Sequence, residues 1–103
     1  MAIANVATLR ILPGRLDDFL SRLGEAKKIL EGHGSTVTFY RTMSGPTPNA
    51  VLFVSSVPDW PTVAKVAAKV EADGAWRALE RRSAQDPFSE TLSSGMIQDF
   101  KLP

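Results

Sequence analysis

The residues able to do chemistry are few in this chain and lie far apart. They are one histidine, His33, one tyrosine, Tyr40, two tryptophans, Trp60 and Trp76, and an asparagine, Asn5, set in an apolar stretch. With no cysteine present, disulfides and thiol nucleophiles are excluded, and one histidine leaves too few nitrogen and sulfur donors for an ordinary zinc site. No dinucleotide motif appears either. The chain is therefore expected to use no cofactor and no metal, and any oxidation it performs needs a substrate that is itself easily oxidised.

Asn5 is the most specific of these signals. A carboxamide on an apolar strand face must satisfy its donors and acceptors, and where no side chain can do so a bound ligand or water is the natural partner. The others have structural readings of their own, which take precedence over the functional ones. His33 lies between two glycines after a helix and reads as a solvated cap residue. Trp60, at a helix start, reads as an anchor onto the sheet, and Trp76 as a core or subunit contact. The ring of Tyr40 suits a subunit interface. Arg77, Arg81 and Arg82, with Glu80 among them, read as a solvated helix face.

The elements that must position these groups follow from periodicity. Ala2 to Leu12 alternates, with Ile3, Asn5, Ala7, Leu9 and Ile11 on the side expected under the helices, and Pro13-Gly14 ends this strand. Arg15 to about Leu30 carries an apolar stripe of Leu16, Phe19, Leu20, Leu23, Ala26 and Leu30. Asp17 and Asp18 open that helix and Lys27 and Lys28 stand near its end, in keeping with the helix dipole. Gly32-His33-Gly34 stops it, one glycine taking the left-handed conformation. Thr36 to Met43 is a β-branched and aromatic strand, and Ser44 to Asn49 a hairpin loop into a central apolar strand, Ala50 to Val57, flanked by Pro48 and Pro58.

Asp59 is the expected N-cap of a second helix, with Trp60 and Pro61 in its first turn and Val63, Val66, Ala67 and Val70 on its apolar face. Asp73-Gly74 interrupts it, Ala75 to Arg82 forms a further short helical piece, Asp86-Pro87 turns the chain, and Thr91 to Phe100 makes a last strand.

The order β-α-β-β-α-β predicts an α+β ferredoxin-like plait, with helices on one face of a four-stranded antiparallel sheet. The 103 residues form a single domain, 1–103, at a size where roughly 65% of the unfolded surface can be buried around one core. Nothing then remains to cover the second face, which would carry Val6, Thr36, Tyr40, Leu52 and Val54. A second copy of the chain is the economical cover, so a homodimer is expected in which two sheets close into an eight-stranded barrel.

A net charge of +1 provides no field for nucleic acid. No apolar run reaches the roughly 18 residues of a membrane span, and the N-terminus lacks the pattern of a secretory signal, so the expected location is the cytoplasm, away from membranes.

Taken together, ILPGRLDDF entering the first helix, HG after it, the apolar strand leaving through VPDW, and ADGAW before the last strand resemble the dimeric α/β-barrel superfamily. More narrowly they are similar to NIPSNAP-like and antibiotic-biosynthesis-monooxygenase-like small proteins, over about Ile3 to Phe100. The resemblance implies the plait, the dimer and a pocket between sheet and helices for a small apolar or aromatic ligand. In some members such a pocket oxidises hydroxylated aromatics without metal or flavin, holding the substrate as its anion near dioxygen. On that basis Asn5, His33, Tyr40, Trp60 and Trp76 are the ligand-binding candidates, with Arg41 as a further charged partner and the catalytic residues unassigned. A haem-degrading branch also has an asparagine on the first strand, but its pattern needs a histidine after a tryptophan, and none follows Trp60 or Trp76 here. The alternative is a non-catalytic interaction or stress-response protein of the same fold. The two differ in one feature: a ligand-binding member keeps a cavity reaching Asn5 or Trp76, whereas the alternative fills that space with side chains.

Overall fold

Seven elements alternate as the periodicity predicts. The computed structural model describes residues 2–46 and 49–100, and Thr47 and Pro48 of the hairpin loop lie outside them. Strand β1 (Ile3–Ile11) leads into helix α1 (Leu16–Gly32), then β2 (Thr36–Arg41), β3 (Val51–Val57), α2 (Trp60–Ala72), α3 (Gly74–Gln85) and β4 (Ser89–Gln98). The sheet is antiparallel in the order β2-β3-β1-β4. This is the ferredoxin-like plait, its second helix divided at Asp73.

Local chemistry explains the boundaries. Gly14, at φ +75°, turns the chain out of β1, and Gly34, at φ +99°, takes the left-handed position after α1. Asp59 caps α2 by accepting the Thr62 amide at 2.9 Å, with Pro61 in the first turn. Asp73 repeats the device for α3, accepting the Ala75 amide at 2.8 Å.

Several boundaries differ from expectation, that of α3 among them, which runs Gly74–Gln85 rather than Ala75 to Arg82. Helix α1 runs on to Gly32, because the chain can stay helical until Gly34 offers a left-handed exit, and its last turn consequently holds no basic residue. Strand β2 ends at Arg41 rather than Met43, where Thr42 leaves the ladder to bond Ala50 and Asn49 across the hairpin. Strand β4 spans Ser89–Gln98, two residues earlier than predicted at each end, because Phe88 is drawn into the core and starts the pairing with β1.

Pairing fixes which residues share a face. On the helix side, one row across the sheet reads Met96, Asn5, Ser55, Val37, and the next reads Ser94, Ala7, Phe53, Phe39. On the other side the central row is Gly95, Val6, Val54, Thr38, beside Ser93, Thr8, Leu52, Tyr40. Two apolar clusters fill the helix side. One joins Leu9, Phe19, Leu23 and Phe88, the other Leu30, Val37 and Val70, and Phe39 and Phe53 pack against both, their rings edge to face at 5.1 Å.

The helices cover the sheet unevenly: α1 packs on β2 and α2 on β3, while α3 packs on the other two helices. Strand β4 is consequently exposed along nearly its whole length. The molecule measures 46 × 37 × 17 Å. Its thin dimension has room for one sheet and one helical layer at the usual ~10 Å spacing, so the far face of the sheet is bare, with Ile97 60% exposed on it.

Candidate functional site

The uneven cover leaves a gap over β1 where the helices stop short of β4. A cavity of about 460 Å³ opens there, walled by Ile3, Leu30, Phe53, Val57, Val63, Val66, Val70, Trp76 and Met96. Its size is that of a site for a small organic molecule. The polar residues in its lining are Asn5, Ser35 and Ser55, joined by the carboxylates Glu71 and Glu80.

Strand β1 carries Asn5 into the cavity because the pleat sends every second residue toward the helices, as Ile3 and Leu9 on the same face are buried. Ser55 lies directly opposite on β3. The Ser55 hydroxyl is 2.5 Å from that of Ser35, which is itself 3.3 Å from the Ser56 carbonyl. If Ser35 donates to that carbonyl, Ser55 donates to Ser35 and keeps its lone pairs facing the gap. The Asn5 carboxamide hydrogen-bonds none of the described residues. Asn5 is an exposed residue of the lining, so its donor and acceptor are open to solvent and to a ligand alike.

Trp76 approaches from the opposite side, on the first turns of α3. It packs against the Leu30, Val37 and Val70 cluster and lines the cavity with the remainder of its surface. Its placement depends on Asp73. One carboxylate oxygen caps α3 at Ala75, and the other accepts from His33 Nε2 at 2.7 Å. The His33 hydrogen bond first, and the Ala75 amide second, hold the Asp73 carboxyl below the usual aspartate range. His33 thereby ties the end of α1 to the start of α3.

Of the five candidate residues, Asn5 and Trp76 meet in one cavity. His33 stands outside that lining, bonded to Asp73. Trp60 opens α2 and is 52% exposed, so it does not anchor that helix by burial. Tyr40 pairs with Leu52 on the bare face of the sheet. Arg41, on the helix side at the end of β2, lies 3.4 Å from Asn49 Oδ1. Sequence reasoning missed Ser35, Ser55, Met96 and the two glutamates. Ser55 interrupts an apolar strand, which is a usable signal, but its meeting with Asn5 depends on the β1–β3 register.

A second polar centre fastens the far end of the helices. Arg15 holds Asp86 with two nitrogens at 2.8 and 2.9 Å and Asp18 at 2.7 Å, and Arg22 reaches the Asp86 carboxylate at 3.3 Å. Arg15 is the main cause of the lowered Asp86 pKa. The contacts to Asp86 join the start of α1 to the α3–β4 turn, so the cluster reads as a structural clasp.

No family model matches the sequence, and no curated protein matches it. Solved structures do. A NIPSNAP domain protein from Burkholderia xenovorans superposes with a TM-score of 0.71 at 23% identity, over 95% of this chain and 94% of the other. A NIPSNAP family protein from Agrobacterium tumefaciens reaches 0.73 at 17% identity, over 99% and 91%. SnoaB, a cofactor-independent oxygenase from Streptomyces nogalater, reaches 0.70 at 11% identity, over 98% and 95%. As the sequence resemblance implied, this chain has the ferredoxin-like fold of the NIPSNAP-domain proteins and of SnoaB.

Proposed function

We propose that this protein binds a small, largely apolar ring compound in the cavity between sheet and helices, and does so as a homodimer. The observation that carries the reading is a largely apolar cavity of about 460 Å³ whose lining includes the exposed Asn5 carboxamide, which bonds none of the described residues and can exchange its water for a ligand hydroxyl or carbonyl. Trp76 supplies the ring face opposite. His33 serves through Asp73, and Tyr40 belongs to the subunit face. An open cavity counts against the alternative of a purely structural interaction protein, for which side chains would fill this space.

The dimer is supported by the bare sheet face, where Val6, Leu52 and Val54 lie beside exposed Tyr40 and Ile97 in a molecule only 17 Å thick. A narrower reading is favoured by the likeness to SnoaB: the ligand is a hydroxylated aromatic oxidised by dioxygen alone. Such a reaction balances with no other reductant, since a phenol and O₂ give a quinone and water, the ring supplying all four electrons. Oxygen uptake with a panel of hydroxylated aromatics tests it. Turnover that falls in Asn5→Ala and Trp76→Phe supports the narrower reading, and uptake no faster than buffer across the panel rejects it. The binding reading is tested separately, by retention of the same compounds in equilibrium dialysis.

A further inference from the structure

Charge gives the cavity a second level of selection. Among the described residues, none in its lining is lysine, arginine or histidine, while two are glutamates, Glu71 on α2 and Glu80 on α3. Among the described residues neither glutamate forms an ion pair or hydrogen bond. Their charge is therefore uncompensated by contact. A basic residue does line the adjoining hollow, which shares Phe53, Trp76 and Glu80 with the cavity. That residue is Arg22, and its guanidinium is already held by the Asp86 carboxylate at 3.3 Å, the Asp86 carbonyl at 3.0 Å and the Arg82 carbonyl at 3.2 Å, over the Phe88 ring at 5.0 Å. It has little left to offer an anion.

Resting on the binding reading above, we infer that the cavity is a charge filter: it accepts ring compounds that are neutral or carry a positive group, and rejects anions of the same shape. Two effects act in the same direction. An anion entering an apolar wall loses hydration that Asn5 and Ser55 cannot replace, and the two carboxylates repel it. A neutral hydroxyl suffers neither effect and matches the open donor and acceptor. A cationic group is attracted by the glutamates and can lie on the Trp76 ring face.

Three probes with one ring test this: 2-naphthol, 2-naphthylmethylammonium and 2-naphthoate, measured by equilibrium dialysis at pH 7 and low salt against the full-length wild type and the Glu71→Gln/Glu80→Gln double variant. Both glutamates are exposed, so the exchange leaves the core intact. The wild type is expected to bind naphthol and the ammonium at least about tenfold more tightly than naphthoate. In the double variant the preference for the ammonium over naphthol should shrink severalfold. Equal affinity for naphthoate and naphthol in the wild type overturns the filter while leaving the cavity reading in place, as does an ammonium preference that survives the double substitution. Retention of none of the three removes the cavity reading and the filter with it.

Discussion

The two faces of the sheet are both apolar and both incompletely covered, yet they are bare in different ways. The helix side is packed at the Leu9 end of β1 and left hollow around Asn5 toward β4, so what remains is concave and contains a polar row, Asn5 and Ser55, between Met96 and Val37. The far side has no helical cover at all. Its central row, Gly95, Val6, Val54 and Thr38, has short side chains and no charge. A concave apolar space with a few convergent polar groups suits a small molecule, whereas a broad sheet face suits another protein surface. The difference arises from helix placement, since the same alternating strands supply both faces.

The largest expected effect separates packed from unpacked helix side. Phe19 is 1% exposed and edge to face with Phe88, whereas Leu20, one residue on, is 59% exposed. Phe19→Ala should cost about 3–5 kcal/mol in denaturant unfolding, and Leu20→Ala under about 1 kcal/mol. Comparable losses would mean that the buried side of α1 is misassigned. The next effect concerns the far face. Sedimentation at micromolar concentration should give about twice the 11.2 kDa chain mass, and Val54→Lys should give the single-chain mass with the far-ultraviolet spectrum retained, because a buried, unpaired ammonium opposes association. A wild-type monomer would leave the far face without its proposed occupant.

A smaller effect is expected from Asn5→Ala. If the carboxamide serves a ligand, affinity for 2-naphthol should fall about five- to tenfold, the worth of one neutral hydrogen bond, while unfolding free energy changes by less than about 1 kcal/mol. A marked loss of stability with unchanged affinity would make Asn5 a structural residue.

Much of this comparison was legible in the sequence. Alternation in β1 separated its two faces, the Phe19, Leu23, Ala26, Leu30 stripe marked the buried side of α1, and Asp59 announced its helix. Asn5 stood out because it broke an apolar pattern. Leu16 and Leu20 fit the same stripe and are nevertheless exposed, because periodicity reports which residues share a helix face and says nothing of how far the opposing surface extends. Ser55 lay hidden for another reason: its neighbour across the sheet is set by strand register, a long-range property. Phe88 was missed because a lone aromatic between a turn and a strand belongs to neither period, although it is buried against Phe19. Glu80 read as part of a solvated helix face, and only the packing of α2 beside α3 brings it to one opening with Glu71.

The smallest expected effect tests the tie that positions Trp76. The Asp73 carboxyl is held below its ordinary value by His33 and by the Ala75 amide, so the folded protein binds its proton less readily than the unfolded chain. A depressed carboxyl contributes stability that is fully present above the unfolded value, near 3.9, and is lost as pH falls through the folded value. The wild type should therefore lose stability on acidification from about pH 5 downward. Asp59 and Asp86, lowered by Thr62 and by Arg15 respectively, add to the same slope, so the wild-type profile alone does not isolate Asp73. Asp73→Asn keeps an oxygen for the Ala75 cap and removes the titration. Urea midpoints measured at several values between pH 6 and pH 2.5 should show the variant below the wild type at pH 6, with the gap narrowing as acid protonates Asp73 in the wild type. A gap that stays constant with pH would mean that neither the His33 bond nor the Ala75 cap draws on the charge of Asp73.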